Sequence, residues 1–567
     1  MSFLSKIVNF FWKRTNEEGS KEYGWSDLNI EKFTQFYFQL VRGGDYEVLE
    51  KQLNDLMYDE TLLLNLYKLI GHTRDIINGK GERDLTYLQI YVWYQHYPIL
   101  AKEALRFIVN GVGNHQFGCW KDIKYFCRFV LNRAKKNNYE LYNDYNDLRN
   151  YEKLNENDKR LIQYAISLLL DRLELDYKLK KEGKIISLAG KWCPREKSSF
   201  GWLYHLIVSQ WKPENFSVNV LFSKQTKAKM QFRKMLSELN NYLDTTQIKM
   251  CNKEWRKINF DKVTSQTLEK NKQAFLNLDH MNSLKYKDID RTICRENLIQ
   301  YLKNNERIKG SNNSIYKFVR DGIEKIDYED IVNKQWNDNK RFNKSIYNVI
   351  PMVDVSNRMT LNKNIPLYNA VGLSIRLSEC NKNIFKNKIL TFSSEPNWIK
   401  FDENDNFMTK VNKVMETVSS LNANFYGALK MILNIIIENN ISPCKVNNMT
   451  LAIFSSMNID QACDDDFNTI YENIRKMYAE AGKNSIYNTP YEPPHILFWN
   501  LVNSDGFPCL SIDRNITMFS GYSPLLLNYF SEILTQDLKE KTPLDMVNYM
   551  LKDCRYDVLE NIFKVMK

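Results

Sequence analysis

The sequence predicts a multi-domain chain in which an α-solenoid of HEAT-like helix pairs precedes an α/β doubly wound domain. The chain has 567 residues, which is more than one hydrophobic core usually holds. Up to about residue 345, apolar residues recur at spacings of three and four, as they do on amphipathic helices. Beyond that point, short apolar runs alternate with helical patterns, which is typical of a sheet covered by helices.

Turn residues divide the helical part into separate segments. Gly43–Gly44, Asn78–Gly79 and Pro98 mark three of these turns. Successive helix pairs of roughly 40 residues favour a solenoid in which each pair buries its apolar face on its neighbours. The predicted helices are Glu31–Leu40, Tyr46–Leu69, Leu85–Trp93, Ala101–Val109, Ile123–Arg133, Asp158–Leu175 and Leu203–Ser209. Residues 321–346 are rich in Asp and then in Asn, and we expect a linker there.

The remaining sequence indicates a parallel sheet with helices on both faces, whose ligands are expected at the C-terminal ends of the strands. The predicted strands are Tyr347–Val355, Ile389–Phe392, Met449–Phe454 and His495–Asn500. The predicted helices between them are Leu367–Glu379, Phe407–Val418, Asn424–Ile437 and Asp465–Ala481. We therefore divide the chain into an N-terminal amphipathic segment (1–22), a helical domain (23–345), an α/β domain (346–530) and C-terminal helices (531–567).

Composition excludes several classes of protein. With 43% hydrophobic and 26% charged residues, the chain is neither wholly disordered nor collagen-like. Its longest apolar stretches, such as Ala428–Ile437, have about half of the ~20 residues that a membrane span needs. Ten cysteines without a C-x-x-C pair and six scattered histidines indicate neither a disulfide framework nor a zinc motif. We expect a cytoplasmic protein from a reducing compartment.

Both ends of the chain have helical patterns. Phe3–Trp12 places apolar residues on one helix face, but its basic pair follows the apolar run, so it does not resemble a signal peptide. It docks either on the solenoid or on a membrane or partner. At the other end, Pro543 is expected to open a helix. Three apolar residues are expected to pack back on the rest of the chain: Leu551, Leu559 and Phe563.

The positive charge is concentrated in one quarter of the sequence. Residues 181–320 hold 27 basic and 13 acidic residues, whereas the whole chain has a net charge of +11. A local field of this sign attracts polyanions such as RNA or DNA. The other interpretation is a lysine-rich solvated surface, which AT-rich coding would produce without selection for binding.

Several short motifs occur in order along the chain: Thr73–Arg83, Gly118–Asp122, Ala189–Pro194, Phe232–Ser237, Asp354–Met359, Phe454–Met457 and Phe498–Asn500. Together they resemble an uncharacterised family of plants, slime moulds and large DNA viruses. This family shares its layout with the TROVE proteins, which are typified by the Ro autoantigen. The resemblance covers roughly Tyr23 to Phe530. It implies a ring of HEAT-like helices closed by a von Willebrand factor A-like domain, with single-stranded RNA entering a positively charged hole.

The resemblance therefore offers a function for the basic segment, which is RNA capture by phosphate contacts and base stacking. The candidate RNA-binding residues are Lys191, Arg195, Lys197, Lys224, Lys227, Lys229, Arg233, Lys234, Lys253, Arg256 and Lys257. Lys249 lies in the same segment. Trp192 and Trp255 are expected to belong to the core rather than to form stacking platforms.

The resemblance also implies a metal site that this sequence has lost. A domains hold Mg²⁺ with an Asp and two Ser on the first loop, a Thr on the second and an Asp on the third. Here Asp354 and Ser356 are kept, but the other three positions are Arg358, Ala423 and Ser456. We therefore expect no metal and no other cofactor. Arg358 either neutralises Asp354 in place of the ion or points to solvent.

We expect a non-enzymatic RNA-binding ring scaffold for single-stranded or misfolded RNA. The alternative is a protein-interaction module, or a structural module of a virion or other particle, that uses the A domain. The consecutive acids Asp464–Asp466 suit a helix start better than a hydrolase site, so we assign no catalysis. Residues Arg74–Arg83 form either a phosphate contact or an ion-pair network that joins two helices. A viral origin would allow packaging in a virion.

Overall fold

The computed structural model describes residues 13–15, 21–111, 116–137, 146–216, 222–279, 281, 283–306, 308–310, 313–324, 329–340, 348–382, 384–392, 395–418, 424–457, 470–504, 506–532 and 539–567. The N-terminal segment Phe3–Trp12 lies outside these ranges. Among the described residues, no helix has the length and apolar character needed to cross a lipid bilayer. The nine described cysteines are all free thiols.

The N-terminal part is helical apart from a short hairpin of β1 (Lys13–Thr15) and β2 (Lys21–Tyr23). Its first helices are α1 (Asn29–Gln39), α2 (Tyr46–Leu56), α3 (Leu63–Arg74), α4 (Asp84–His96), α5 (Pro98–Asn110), α6 (Lys121–Asn137), α7 (Asp147–Glu152) and α8 (Glu156–Lys181). They are followed by α9 (Ala189–Trp192), α10 (Gly201–Trp211), α11 (Phe222–Leu243), α12 (Thr246–Cys251), α13 (Ser265–Phe275), α14 (Ile289–Asn304), α15 (Ile315–Ile323) and α16 (Glu329–Lys340).

Helix α2 shows how the sequence specifies these elements. The Asp45 side chain accepts a hydrogen bond from the backbone N–H of Glu47 at 2.8 Å, so it caps the helix start. Leu49, Leu53 and Leu56 follow at spacings of four and three, and all three are buried. A polar cap followed by an apolar face is enough to define a helix that packs on its neighbours.

The C-terminal part contains a six-stranded sheet and its helices. The strands are β3 (Val349–Asp354), β4 (Lys388–Phe392), β5 (Asn397–Lys400), β6 (Thr450–Ser455), β7 (His495–Asn500) and β8 (Ile516–Ser520). The helices are α17 (Leu361–Cys380), α18 (Phe407–Met415), α19 (Phe425–Glu438), α20 (Pro443–Asn447), α21 (Ile470–Lys483), α22 (Leu527–Glu532), α23 (Pro543–Leu551) and α24 (Asp557–Met566).

The sheet is mixed rather than wholly parallel, which corrects the prediction. Its strand order is β5-β4-β3-β6-β7-β8, and all neighbours are parallel except β4 and β5. Only residues 393–396 join β4 to β5, and four residues are too few for the crossover that a parallel pair requires. Strands β5 and β8 were not predicted, because β5 is short and half exposed and β8 follows a loop without a clear pattern.

Neighbouring residues of each central strand face opposite sides of the sheet. Val353 and Trp499 belong to the large core that the sheet shares with the helical part. Met352 and Phe498, one position earlier, belong to a second core with α19 and α21. The sheet is therefore covered on both faces, as predicted, and one cover includes the N-terminal helices.

The C-terminal helices return to the N-terminal part. Pro543 opens α23, as predicted. Three residues expected to pack back lie in the large core: Leu551, Leu559 and Phe563. The ring of Phe563 is 5.9 Å from that of Tyr67 in α3. The guanidinium of Arg555 donates to both oxygens of Asp75, at 2.7 and 2.8 Å. First and last segments of the sequence thus share one core.

The predicted linker at 321–346 is wrong at 321–323, where α15 ends, and at 329–340, which α16 occupies. Ile331, Val332 and Trp336 are buried there, and the Trp336 ring stacks on Phe407 at 3.9 Å. Acidic and amide residues between these apolar positions hid the helical spacing. The helical and sheet-containing parts are therefore joined by packing and not merely by a tether.

Candidate nucleic-acid interface

Helix α11 carries five of the cations predicted to bind RNA: Lys224, Lys227, Lys229, Arg233 and Lys234. Its buried face, with Phe232 at its centre, packs in the large core. Because a helix turns once every 3.6 residues, Lys227 and Lys234 lie on one flank, whereas Lys229 and Arg233 lie on another. The five cations therefore do not converge on a single site.

An acid lies beside one of these flanks. Glu196 is 3.5 Å from the guanidinium of Arg233 and 3.9 Å from the Lys229 amino group. Both separations are longer than a good hydrogen bond, so the carboxylate is shared loosely between the two cations. The Arg233 side chain is 55% exposed and remains accessible to a ligand.

Three further predicted cations lie next to Trp255 in the sequence: Lys253, Arg256 and Lys257. Trp255 packs on a separate apolar cluster that contains Phe260 and Leu298. Lys257 pairs with Glu254 at 2.5 Å, and Arg256 lies 3.9 Å from Asp290. Lys257 is therefore paired with an acid, whereas the contact of Arg256 is longer than a good hydrogen bond. Lys253 is exposed and has no ion pair among the described residues.

The strongest convergence of cations surrounds Trp192. Its half-buried ring has the amino groups of three lysines around it: Lys121 at 5.2 Å, Lys191 at 5.3 Å and Lys124 at 5.4 Å. These separations allow cation–π attraction. We call Trp192 and these three lysines the Trp192 cluster. Lys191 was predicted, whereas Lys121 and Lys124 come from α6, outside the basic segment.

The electrostatics of the Trp192 cluster are unusual for surface lysines. Burial lowers the pKa of all three amino groups. Repulsion by Arg83 lowers the pKa of Lys121 further, and repulsion by Lys121 and Arg195 does the same for Lys124. Among the described residues, no aspartate or glutamate lies within ion-pair distance of these three amino groups. Positive charge is therefore held together without a counter-ion from the described chain.

Two more aromatic rings lie beside the cluster, the half-buried Tyr125 and the buried Phe200. Tyr125 and Phe200 meet edge to face with their centres 5.4 Å apart. The guanidinium of Arg128 lies 3.9 Å from the centre of the Phe200 ring, and that of Arg83 lies 5.5 Å from that of Tyr125. A sequence signal for this surface exists, because Lys121, Lys124 and Arg128 have the spacing of one helix face.

A buried network positions the start of α6, where Lys121 lies. Asp122 is fully buried and accepts hydrogen bonds from Arg74 at 2.8 and 3.0 Å and from the Tyr87 hydroxyl at 2.5 Å. Burial alone would raise the pKa of Asp122, but Arg74, Arg83 and the Tyr87 hydroxyl together outweigh it and the pKa is lowered. A Cβ on Gly118 would lie 2.7 Å from Asp122, so only glycine fits this approach. This explains the Gly118–Asp122 motif.

The segment 74–83 forms a structural network rather than an exposed phosphate contact. Glu82 pairs with Arg42 at 3.0 Å, and Arg83 reaches Asp122 at 3.3 Å. The amino group of Lys80 is fully enclosed and donates to Tyr37 O at 2.7 Å and to the Ser520 hydroxyl at 2.5 Å. Burial lowers the pKa of Lys80 well below its usual value. Lys80 therefore joins α1 to the end of β8.

A pocket of about 360 Å³ opens beside α11, between that helix, α10, α12 and the 193–200 loop. Three predicted RNA-binding residues line it, namely Arg195, Lys197 and Arg233, together with Glu196. Arg195 and Lys197 are exposed and have no ion pair among the described residues. Since Arg195 lowers the pKa of Lys124, the pocket and the Trp192 cluster are close enough to share one field.

The site at which the sequence predicts a lost metal centre lies at the C-terminal ends of β3 and β6. Asp354 is fully buried and accepts hydrogen bonds from the Ser455 hydroxyl at 2.7 Å and the Ser356 N–H at 2.9 Å. Burial raises the pKa of Asp354, in spite of these hydrogen bonds. The Ser456 hydroxyl is buried and has no hydrogen-bond partner among the described residues.

Arg358 is half-buried, and the hydrogen bonds described for the Asp354 carboxylate come from Ser356 and Ser455. Neutralisation of Asp354 by Arg358 therefore stays a prediction. Ala423 lies outside the described residues. One enclosed carboxyl group with a raised pKa and a few hydroxyls do not fit the charged oxygen ligands that Mg²⁺ prefers.

Two protein-family models and one known protein match this chain, and none of their descriptions names an activity. Residues 162–290 match a family described as a domain of unknown function (DUF2828), and residues 348–557 match another (DUF7788). An uncharacterised protein of Acanthamoeba polyphaga mimivirus is 25% identical over 512 residues, which cover 86% of this chain and 78% of that protein. The chain is therefore similar to uncharacterised proteins, one of them viral, and the DUF2828 match includes Trp192 and helix α11.

Proposed function

We propose that this chain is a non-enzymatic scaffold that binds single-stranded RNA at the Trp192 cluster and along α11. One observation carries the proposal: three amino groups without an acidic partner surround a half-buried indole ring. Repulsion between like charges costs free energy, and bound phosphate groups would offset this cost by attraction to the amino groups. The half-buried rings of Trp192 and Tyr125 suit unpaired bases, which proteins bind by stacking.

The architecture supports a TROVE-like arrangement as part of this proposal. If the six strands are numbered by their order in the chain, their order across the sheet is 3-2-1-4-5-6. This is the strand order of doubly wound sheets. An A-like domain with a degenerate metal site fits the enclosed Asp354. We further propose that α1–α16 form the HEAT-like ring, and that the scaffold is cytoplasmic or packaged in a virion.

Fluorescence anisotropy with a labelled oligouridylate tests the RNA proposal. The variant Lys121→Glu/Lys124→Glu/Lys191→Glu should lose at least about tenfold in affinity, because it replaces attraction to phosphate by repulsion. A matched control replaces three exposed lysines far along the sequence: Lys445, Lys483 and Lys552. It changes the net charge equally and should retain most of the affinity.

Equal losses in both variants would mean that only net charge matters, and the proposed site would be abandoned. Absence of RNA binding by the unaltered chain would favour the alternative function, a protein-interaction or particle-structural module. Circular dichroism of each variant checks that the fold is kept, which we expect because the three replaced amino groups make no ion pairs with described residues.

A further inference from the structure

We infer that the pocket beside α11 is a binding site for one nucleotide, with its phosphate at Arg195, Lys197 and Arg233 and its base on the apolar floor. The inference rests on the proposed function only in so far as a bound RNA strand would supply that nucleotide. The site itself is a property of the pocket and can be tested without RNA.

The size and position of the pocket fit such a ligand. Its volume of about 360 Å³ lies in the range of roughly 300–1,000 Å³ that small-molecule sites occupy. Helices α10, α11 and α12 contribute to its wall, so most of the lining is held on regular structure. A lone inorganic anion would fill only a part of this space.

The cations of the pocket can take up a phosphate. Arg195 and Lys197 have no ion pair among the described residues, and the distance of 3.5 Å from Arg233 to Glu196 is too long for a strong one. Glu196 also lies within reach of Lys229, which reduces its repulsion of an anion. Guanidinium groups suit phosphate because they can donate two parallel hydrogen bonds.

The rest of the lining suits a nucleobase. The half-buried Ile248 provides an apolar surface, and the fully buried Leu236 also lines the pocket. The Asn240 amide donates to Gly190 O at 3.0 Å and to Leu236 O at 2.7 Å, which fixes its orientation. Asn241 lies beside it with an exposed side chain that has no hydrogen bond within the described residues, and it is available to a base edge. Cations, an apolar floor and an unengaged amide together match a nucleotide better than a carboxylate or a sugar.

Isothermal titration calorimetry of the full chain tests this site. Uridine 5′-monophosphate and adenosine 5′-monophosphate are titrated separately, with inorganic phosphate and uridine as controls. We expect saturable binding of at least one monophosphate that is about tenfold tighter than binding of phosphate or of uridine. Phosphate that binds as tightly as both nucleotides, or nucleotides without saturable binding, would overturn the inference.

Two variants test whether the measured heat of binding comes from the pocket. Arg233→Gln and Arg195→Gln each remove one exposed guanidinium and should each weaken nucleotide binding by about tenfold. Arg256→Gln, another exposed arginine of the same segment, should leave it unchanged. An equal loss in all three would place the ligand elsewhere and overturn the assignment. Exposed sites make unfolding of these variants unexpected, and a thermal melt checks this.

The same variants separate this inference from the RNA proposal. The milder variant Lys121→Ala/Lys124→Ala/Lys191→Ala should weaken RNA binding while it keeps most of its nucleotide affinity, whereas loss of nucleotide binding alone would leave the RNA proposal intact. Oligouridylates with a 5′-phosphate or a 5′-hydroxyl distinguish the sources of the ligand. An Arg233-dependent preference for the phosphate assigns the site to a strand end, and no preference assigns it to a free or internal nucleotide.

Discussion

Two groups of positive charge meet at the start of helix α6, and they differ in whether an acid neutralises them. Arg74 and Arg83 share the buried carboxylate of Asp122. One residue away, Lys121 and Lys124 face Trp192 without an acid among the described residues. Cations paired in the interior hold helices together, whereas partly buried cations without partners cost stability and point to a ligand.

The largest expected effect comes from the paired group. Asp122→Ala leaves Arg74 buried without its counter-ion and should lower the free energy of unfolding by about 3–5 kcal/mol. Because the pKa of Asp122 is lowered in the fold, its contribution is present at neutral pH and disappears as the pH falls through that lowered pKa. Urea denaturation at neutral and acidic pH measures both. Lys121→Ala is the control and should change stability by less than about 0.5 kcal/mol.

The unpaired group should show the opposite behaviour, with an effect on RNA and little on stability. Lys121→Ala/Lys124→Ala/Lys191→Ala removes three phosphate contacts and should reduce the salt dependence of RNA binding. The slope of log affinity against log salt should become less negative by about 2, since each contact to a single strand contributes roughly 0.7. Anisotropy titrations over a salt series measure this slope. An unchanged slope would show that these lysines do not contact phosphate.

Asp354 extends the comparison to a buried charge of the other sign. Its pKa is raised by burial, so ionisation costs stability as the pH rises above about 3.9, the ordinary value of an aspartate. Asp354→Asn should therefore be as stable as the unaltered chain or more stable by about 1 kcal/mol at pH 7. This difference should vanish in acid. Asp27→Asn, at an exposed site, is the control for denaturation at both pH values. Marked destabilisation at pH 7 would mean that the carboxylate has a partner of opposite charge.

The smallest expected effect is that of divalent cations. Titration of the chain with Mg²⁺ or Mn²⁺ should give no saturable heat from the Asp354 loop, because its remaining ligands carry too little charge. Asp354→Asn is the control, because it lacks the carboxylate that would bind the cation. Tight binding that this substitution abolishes would contradict the predicted loss of the metal site.

The sequence predicted the two parts of the fold because their patterns are local. Apolar residues at spacings of three and four indicate the buried face of α2, and a continuous apolar run indicates that β3 is buried on both faces. The same logic failed at α16, where polar residues separate Ile331, Val332 and Trp336. It also failed for the antiparallel edge strand β5, whose four residues carry too little pattern.

The candidate site was only half predictable. Counting charge along the sequence selected Lys191, Arg195 and Arg233, which lie in the Trp192 cluster or in the pocket. It also selected Lys257, which pairs with Glu254. A count of charges says how many are present in a segment, but not which of them fold against a carboxylate.

Helix and strand order could be deduced from residues that are neighbours in the sequence, because burial on one face repeats with the period of each element. The meeting of Lys121 and Lys124 with Trp192 could not, since tertiary packing brings together positions about 70 residues apart. Folding also decided which cations were neutralised, because ion pairing depends on distances that composition does not contain.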